Sequence, residues 1–442
     1  MSIGSTNISF SDIQIAKDSI FSHTLLAGAG GTTAFNSYGL FGPSGQATSV
    51  VPTNSFGSGK YFSSSTTNTK LHDNSFGTGA IAIRQNGTVS TSLPLGFAYE
   101  FNSAQTITMY RIWAGNITFN KMIKNWELRG SVNKNTYVSN NSGTYTVLHT
   151  ISNETSWIIS SGATTASSNI GFSNKYYVTS PGSYIYYVLH ITANNGETYA
   201  TSIGEWALYK TPTTTAETNI SLSSFRKLPF SSGNPIPHTG EISINDDFKN
   251  RTIALSTLSG DLGQVQLFSG NQGTSLRTYT KDLSNFGTNS TGDSLIGKKV
   301  HIYLRYVSGN GFRNDPQLFK ITLNGIEHSP GLIAGPLSYT NWHTTYRTTN
   351  TSYNHNSTWL SVTSSTSPTG RWHRDTFSTP SGRTGVNVGS TGAIYYEGSS
   401  GGYNKDVYLR SPPIELTSGE VILKMYGYGS NIGTMHMGVY IL

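Results

Sequence analysis

The chain contains no cysteine in 442 residues. It therefore has no disulfide framework, no thiolate nucleophile and no Cys-ligated zinc or iron–sulfur centre. Charge is scarce as well: Asp, Glu, Lys and Arg make up 12% of the residues, about half of the roughly 25% usual in globular proteins. No run approaches the ~18 apolar residues of a membrane-spanning helix, so no membrane insertion is expected. The opening Met1-Ser2-Ile3-Gly4-Ser5-Thr6-Asn7 has neither a basic nor an apolar region, and no signal peptide is expected. Scarce charge does not mean disorder here, because disordered chains are poor in aromatics and this one has 12%.

Ser, Thr, Asn and Gly take the place of charge, with 48 Gly and 26 Tyr. Such a composition, with 35% hydrophobic residues, reads as an all-β protein. The formal net charge is +7, but it is dispersed. The nearest things to a basic cluster are Lys298-Lys299 and Arg226-Lys227, so no nucleic-acid footprint is present.

At roughly 150 residues per domain the length allows about three, yet the punctuation suggests two folded regions and a connection. Ile185-Tyr186-Tyr187-Val188-Leu189-His190-Ile191 and Val300-His301-Ile302-Tyr303-Leu304-Arg305-Tyr306 alternate with period two, the pattern of half-buried strands. Turn residues follow at Gly309-Asn310-Gly311, Asn324-Gly325 and Ser399-Ser400-Gly401-Gly402. Between the regions, Thr211-Pro212-Thr213 and Pro229 to Pro237 suit neither a helix nor a central strand. Three related segments, beginning at Ile8, Ile220 and Ile242, place apolar residues around a capping Ser or Asn. The expected organisation is all-β. It comprises a short N-terminal helical or docking segment (1–25), a β-sandwich (26–210), a Pro/Thr-rich linker (211–250) and a second β-sandwich (251–442). In the first segment Ile8, Phe10 and Ile13 are the candidate docking residues.

Phe97-Ala98-Tyr99-Glu100-Phe101, Ile107 to Ala114, Lys124-Asn125-Trp126-Glu127-Leu128-Arg129-Gly130-Ser131 and Gly204-Glu205-Trp206-Ala207-Leu208-Tyr209 follow one another in a characteristic order. In this the first region resembles the discoidin-like (coagulation-factor C-type) jelly roll, without that family's terminal Cys pair. Val300 to Phe312, Asp315-Pro316-Gln317-Leu318, Gly370 to Asp375, Tyr395 to Ser399 and Leu409-Arg410-Ser411-Pro412-Pro413-Ile414-Glu415-Leu416 make the second region resemble a MAM-like jelly roll. The segments at Ile8 and Ile242 are similar to ones recurring in structural proteins of marine tailed phages. A Cys-free, leaderless all-β chain suits a protein made in a cytoplasm and released by lysis. These resemblances imply a virion protein of a tailed phage. A tail fibre or tail-associated part reading a host-surface glycan comes first, and capsid decoration second.

The discoidin-like resemblance places ligand loops at one end of the first domain. It points to Lys60, Tyr61, Phe62, Asn116 and Phe119 as receptor contacts. Exposed rings stack on sugar C–H groups while amides bond hydroxyls. A second aromatic group, Trp342, Tyr346, Tyr353 and Trp359 with Arg347, suits a stacking platform or, better, a sandwich core. Glycosidase chemistry needs two carboxylates about 5–10 Å apart. The candidates Asp246, Asp247, Glu397 and Glu415 read as turn or strand residues, so no enzyme is expected. Histidines lack metal-ligand spacing. No cofactor is called for, although carbonyl-rich loops of the first domain leave room for a structural calcium ion. The expected partners are other virion proteins, a host-surface glycan and further copies of the chain, with a trimer as one arrangement.

Overall fold

The computed structural model describes residues 24–27, 35–41, 60–62, 74, 81–85, 95–114, 118–132, 145–159, 171–197, 200–211, 248, 258–273, 275–283, 286, 295–307, 316–347, 353–364, 371–375, 392–396, 406–427 and 432–442. The fold is all-β. Among the described residues, helical structure is limited to single turns such as Phe119–Lys121 and Tyr339–Asn341. None is long and apolar enough to cross a membrane. Ile8, Phe10, Ile13 and the 211–250 linker, residue 248 apart, lie outside the described residues, apart from Thr211 at its start.

The chain divides into two compact units, one of which spans Ser22–Thr213. Its five-stranded antiparallel sheet runs, in spatial order, Phe35–Phe41, Leu95–Thr106, Ser183–Asn194, Ile123–Ser131 and Thr146–Ile151. A four-stranded sheet runs Thr24–Ala27, Glu205–Lys210, Met109–Trp113 and Asn174–Tyr177. Alternation decides which side chains meet between them. Phe97, Tyr99 and Phe101 face inward, as do Tyr187, Leu189 and Ile191, with Trp126 and Leu128 beside them. All pack on Tyr110, Ile112, Trp206 and Leu208 from the other sheet. The Tyr99 ring stacks on Trp206 with centroids 4.5 Å apart, and its hydroxyl donates to the Trp206 carbonyl at 2.7 Å. Each such buried aromatic side chain stabilises the sandwich by about 2–3 kcal/mol.

Some of the core's polar atoms pair with one another. Trp126 Nε1–H donates to the Tyr110 hydroxyl at 2.9 Å, which lies 3.2 Å from His149 Nδ1. Burial holds the His149 pKa below its ordinary value, which favours the neutral ring. Burial also raises the Tyr110 pKa, so the hydroxyl stays protonated and bridges the two rings.

The second unit has two sheets. The larger orders Gly260–Ser269, Thr434–Ile441, Lys299–Val307, Asp406–Arg410, His343–Arg347 and Leu360–Ser361, with Ile414–Glu415 also pairing to Lys299–Val307. The smaller orders Arg277–Asp282, Glu420–Tyr426, Gln317–Leu323, Ala393–Tyr396 and Trp372–Asp375, with Ile326–His328 pairing to Gln317–Leu323. The Asn324-Gly325 turn has φ of 55° and 76°, the doubly positive geometry of a type I′ hairpin that Asn-Gly favours. Asn324 then ties the hairpin down, accepting from Thr417 N at 2.7 Å and donating to Glu415 O at 2.9 Å. Val300, Ile302, Leu304 and Tyr306 are buried as their alternation implies, but so are His301 and Tyr303 on the opposite face. The segment around Tyr353 covers that face, which a strand's own periodicity does not reveal.

Candidate functional site

At one end of the first unit the chain leaves Met109–Trp113, makes the Phe119–Lys121 turn and enters Ile123–Ser131. The turn closes through Lys121 N to Thr118 O and Met122 N to Phe119 O, each 3.0 Å. Phe119 at its crest is 43% exposed, a large ring left in water, where nearly every other described ring of this unit is at least partly covered. Neighbouring residues fix the turn that carries it. Asn120 Nδ2 donates to Glu197 Oε2 at 2.9 Å, and Glu197 N donates back to Asn120 O at 3.1 Å. This reciprocal clasp joins residues far apart in sequence and holds the turn rigid.

The opposing loop is built from asparagines. Asn194 Oδ1 accepts from Gly196 N at 3.1 Å, an Asx turn that lets Gly196 adopt φ +110°. Asn194 Nδ2 donates to Glu197 O and Thr201 Oγ1 at 2.9 and 3.0 Å. Asn195 N donates to Met122 O at 2.9 Å, and Asn195 Nδ2 donates to Glu154 O at 3.2 Å. Glu154 accepts from Ser156 N and Ser156 Oγ at 2.7 and 2.6 Å and from the Tyr176 hydroxyl at 2.9 Å. An amide thus donates to the Glu197 carboxylate, and hydroxyls and a backbone N–H donate to that of Glu154. The result is a preformed polar rim around an exposed ring, able to stack on an apolar sugar face and exchange hydrogen bonds with hydroxyls.

Of the receptor contacts expected from the sequence, Phe119 is at this crest. Asn116 lies outside the described residues. Lys60, Tyr61 and Phe62 form the edge strand of a three-stranded sheet ordered Ala200–Ile203, Ile81–Gln85, Lys60–Phe62, where the resemblance implied a loop. Pairing with Ile81–Gln85 satisfies backbone groups that a loop would expose. That sheet abuts the Phe119 turn through the Met122↔Ser202 bridge. Two strand spacings, about 10 Å, then separate Ala200–Ile203 from Lys60–Phe62. Asn120 and Glu197 escaped the sequence reading. Asn194-Asn195-Gly196 was the available signal, because such a run marks a tight turn.

Asp246, Asp247 and Glu397 lie outside the described residues, and Glu415 is buried on a strand. Among the described residues no group of three His, Asp or Glu could hold a metal ion. Trp342 is a core residue, fully buried with Nε1–H on Leu337 O at 3.0 Å. The side chains of Tyr346 and Arg347 lie outside the described part. Tyr353 and Trp359 pack on the outward face of the larger sheet, against Tyr303 and Tyr408.

No family model and no curated protein matches the sequence. Among solved structures, the chain is similar to the family 32 carbohydrate-binding module from C. perfringens NanJ in complex with galactose. The identity is 14%, with 34% of this chain and 88% of that chain covered at a TM-score of 0.24. A Clostridium perfringens family 32 module in complex with GalNAc-β-1,3-galactose is similar at 12% identity, covering 33% of this chain and 84% of that one, with a TM-score of 0.24. Chitosan-binding module 1 of a chitosanase/glucanase from Paenibacillus sp. IK-5 is similar at 16% identity, over 34% and 96% of the two chains, with a TM-score of 0.22. Family 32 modules are discoidin-like jelly rolls.

Proposed function

We propose that the chain is a glycan-recognition protein that binds without catalysis, and that it serves as a tail fibre or tail-associated component of a phage virion, reading the host's surface saccharides. The observation that carries recognition is the exposed Phe119 ring, carried on a turn that the Asn120–Glu197 pair ties down beside an asparagine-built loop. Rigid presentation lowers the entropy cost of binding, which suits a surface that meets a repetitive polymer.

The virion assignment rests on sequence: no cysteine, sparse charge, and segments similar to those of phage structural proteins. A glycan array tests recognition. Saturable binding to a host polysaccharide, weakened in Phe119→Ala, is the expected result, and an array with no bound saccharide refutes the reading. Antibody labelling of intact particles tests location. Label confined to the tail is expected, whereas label over the whole shell would make the protein a capsid decoration.

A further inference from the structure

The outward face of the second unit's larger sheet treats two arginines differently. Asp406, Tyr408 and Arg410 alternate along one strand, and His301, Tyr303 and Arg305 along its neighbour, with Tyr303 opposite Arg410 and Arg305 opposite Tyr408. Arg305 forms a fork with Asp406: Nε to Oδ1 and NH2 to Oδ2 are both 2.8 Å. Arg410 has no carboxylate within ion-pair distance among the described residues. The one carbonyl that accepts from it there is that of His355, at a long 3.4 Å. The guanidinium instead rests 4.3 Å from the centre of the Trp359 ring, beside the Tyr353 hydroxyl.

A covering segment shapes the surroundings. Tyr353 stacks on Tyr303 at 4.0 Å, and His355 stacks on Tyr440 at 4.4 Å. Four buried polar atoms of this one patch have no hydrogen-bond partner: Arg410 Nε, Trp359 Nε1, the Tyr353 hydroxyl oxygen and His355 Nδ1. The first three carry a hydrogen to donate. Buried donors are ordinarily paired, and each one left over weakens the fold. Unpaired donors gathered around an uncompensated cation therefore define a place for an acceptor of negative charge. Trp359 and Tyr440, each only half buried, add ring surface beside it.

We propose that this patch is a second binding site, one for an acidic saccharide, with Arg410 pairing to a ring-borne carboxylate or sulfate and Trp359 Nε1–H donating to the same oxyanion. The saccharide part rests on the glycan reading above; the anionic part rests on Arg410 and the unpaired donors alone.

Titration calorimetry with methyl β-D-glucuronide, glucose 6-sulfate, methyl β-D-glucoside and sodium sulfate separates the components. At least one acidic sugar is expected to bind about tenfold more tightly than the glucoside, the weight of a charge-assisted hydrogen bond. Which acidic sugar binds more tightly identifies carboxylate or sulfate as the source. Arg410→Gln removes the preference, and Trp359→Phe reduces it. Arg410→Gln should also melt at or above the wild-type temperature, because the cation it removes is unpaired. Equal affinity for acidic and neutral sugars, or a preference unchanged in Arg410→Gln, overturns the site while leaving neutral glycan recognition standing. Sodium sulfate binding as tightly as glucose 6-sulfate overturns the saccharide part. Neutral glycans failing on the array while the acidic sugars still bind through Arg410 counts against the Phe119 rim alone.

Discussion

The rim of the first unit and the outward sheet face of the second handle charge in opposite ways. At the rim, the carboxylates of Glu197 and Glu154 are held by amides and hydroxyls. On the sheet face, cations are surrounded by rings, and one of the two arginines lacks a carboxylate partner among the described residues. Both are built on antiparallel strands with the same alternation. What differs is whether loop asparagines or facing aromatics supply the neighbours. A chain with so few charges can thus keep a carboxylate-bearing amide surface in one place and a cationic, ring-lined one in another.

Substitutions on the sheet face separate its two arginines most sharply. Asp406→Ala strips Arg305 of its partner in a mostly buried fork and should cost the second unit about 3–5 kcal/mol in chemical denaturation. Loss under 1 kcal/mol would mean that the fork and the lone Arg410 are energetically alike.

Acid provides the next test. Burial pushes the His301 pKa down to about 3, with Arg410 adding to the effect, and pushes His328 down to about 4. Protons therefore bind the unfolded chain first. Stability contributed by these neutral rings is intact above pH ~6.5 and is lost as pH falls from there towards 3–4, by on the order of a few kcal/mol. Among the described residues the first unit has fewer such groups, His190, pushed down to about 4 by burial, and His149, whereas in the second unit burial also lowers His343, His355 and His436. Hydrogen exchange at pH 6.5 and 4.5 should show the second unit opening more steeply on acidification. An equal response in both would break the contrast.

Gly438 lies opposite Tyr303, and an added Cβ would meet that ring. Gly438→Ala should destabilise the second unit by about 1–3 kcal/mol through overpacking and, by displacing Tyr303, disturb the stack with Tyr353. Smallest of all, Phe119→Ala should leave the melting temperature within about 1 °C, since an exposed ring contributes little to stability, while weakening glycan binding severalfold.

Much of this was legible in sequence, for identifiable reasons. Alternation at Tyr187-Val188-Leu189 and Val300 to Tyr306 set the strands and their inner faces, and Asn324-Gly325 set a hairpin. Lys60 to Phe62 went the other way: strand pairing with Ile81–Gln85 is a long-range contact with no local signature. The same holds for the Asn120–Glu197 clasp, which joins residues on separate loops. Trp342 and Trp359 sit in one Thr/Asn-rich stretch, yet one enters the core and the other covers a sheet face. Only the three-dimensional path between them separates the two roles.

The most direct test mixes purified protein with a polysaccharide from the host surface and measures retention and released reducing ends together. Saturable retention that falls in Phe119→Ala, with no new reducing ends, is the predicted result. Absence of retention, or the appearance of reducing ends, would contradict recognition without cleavage.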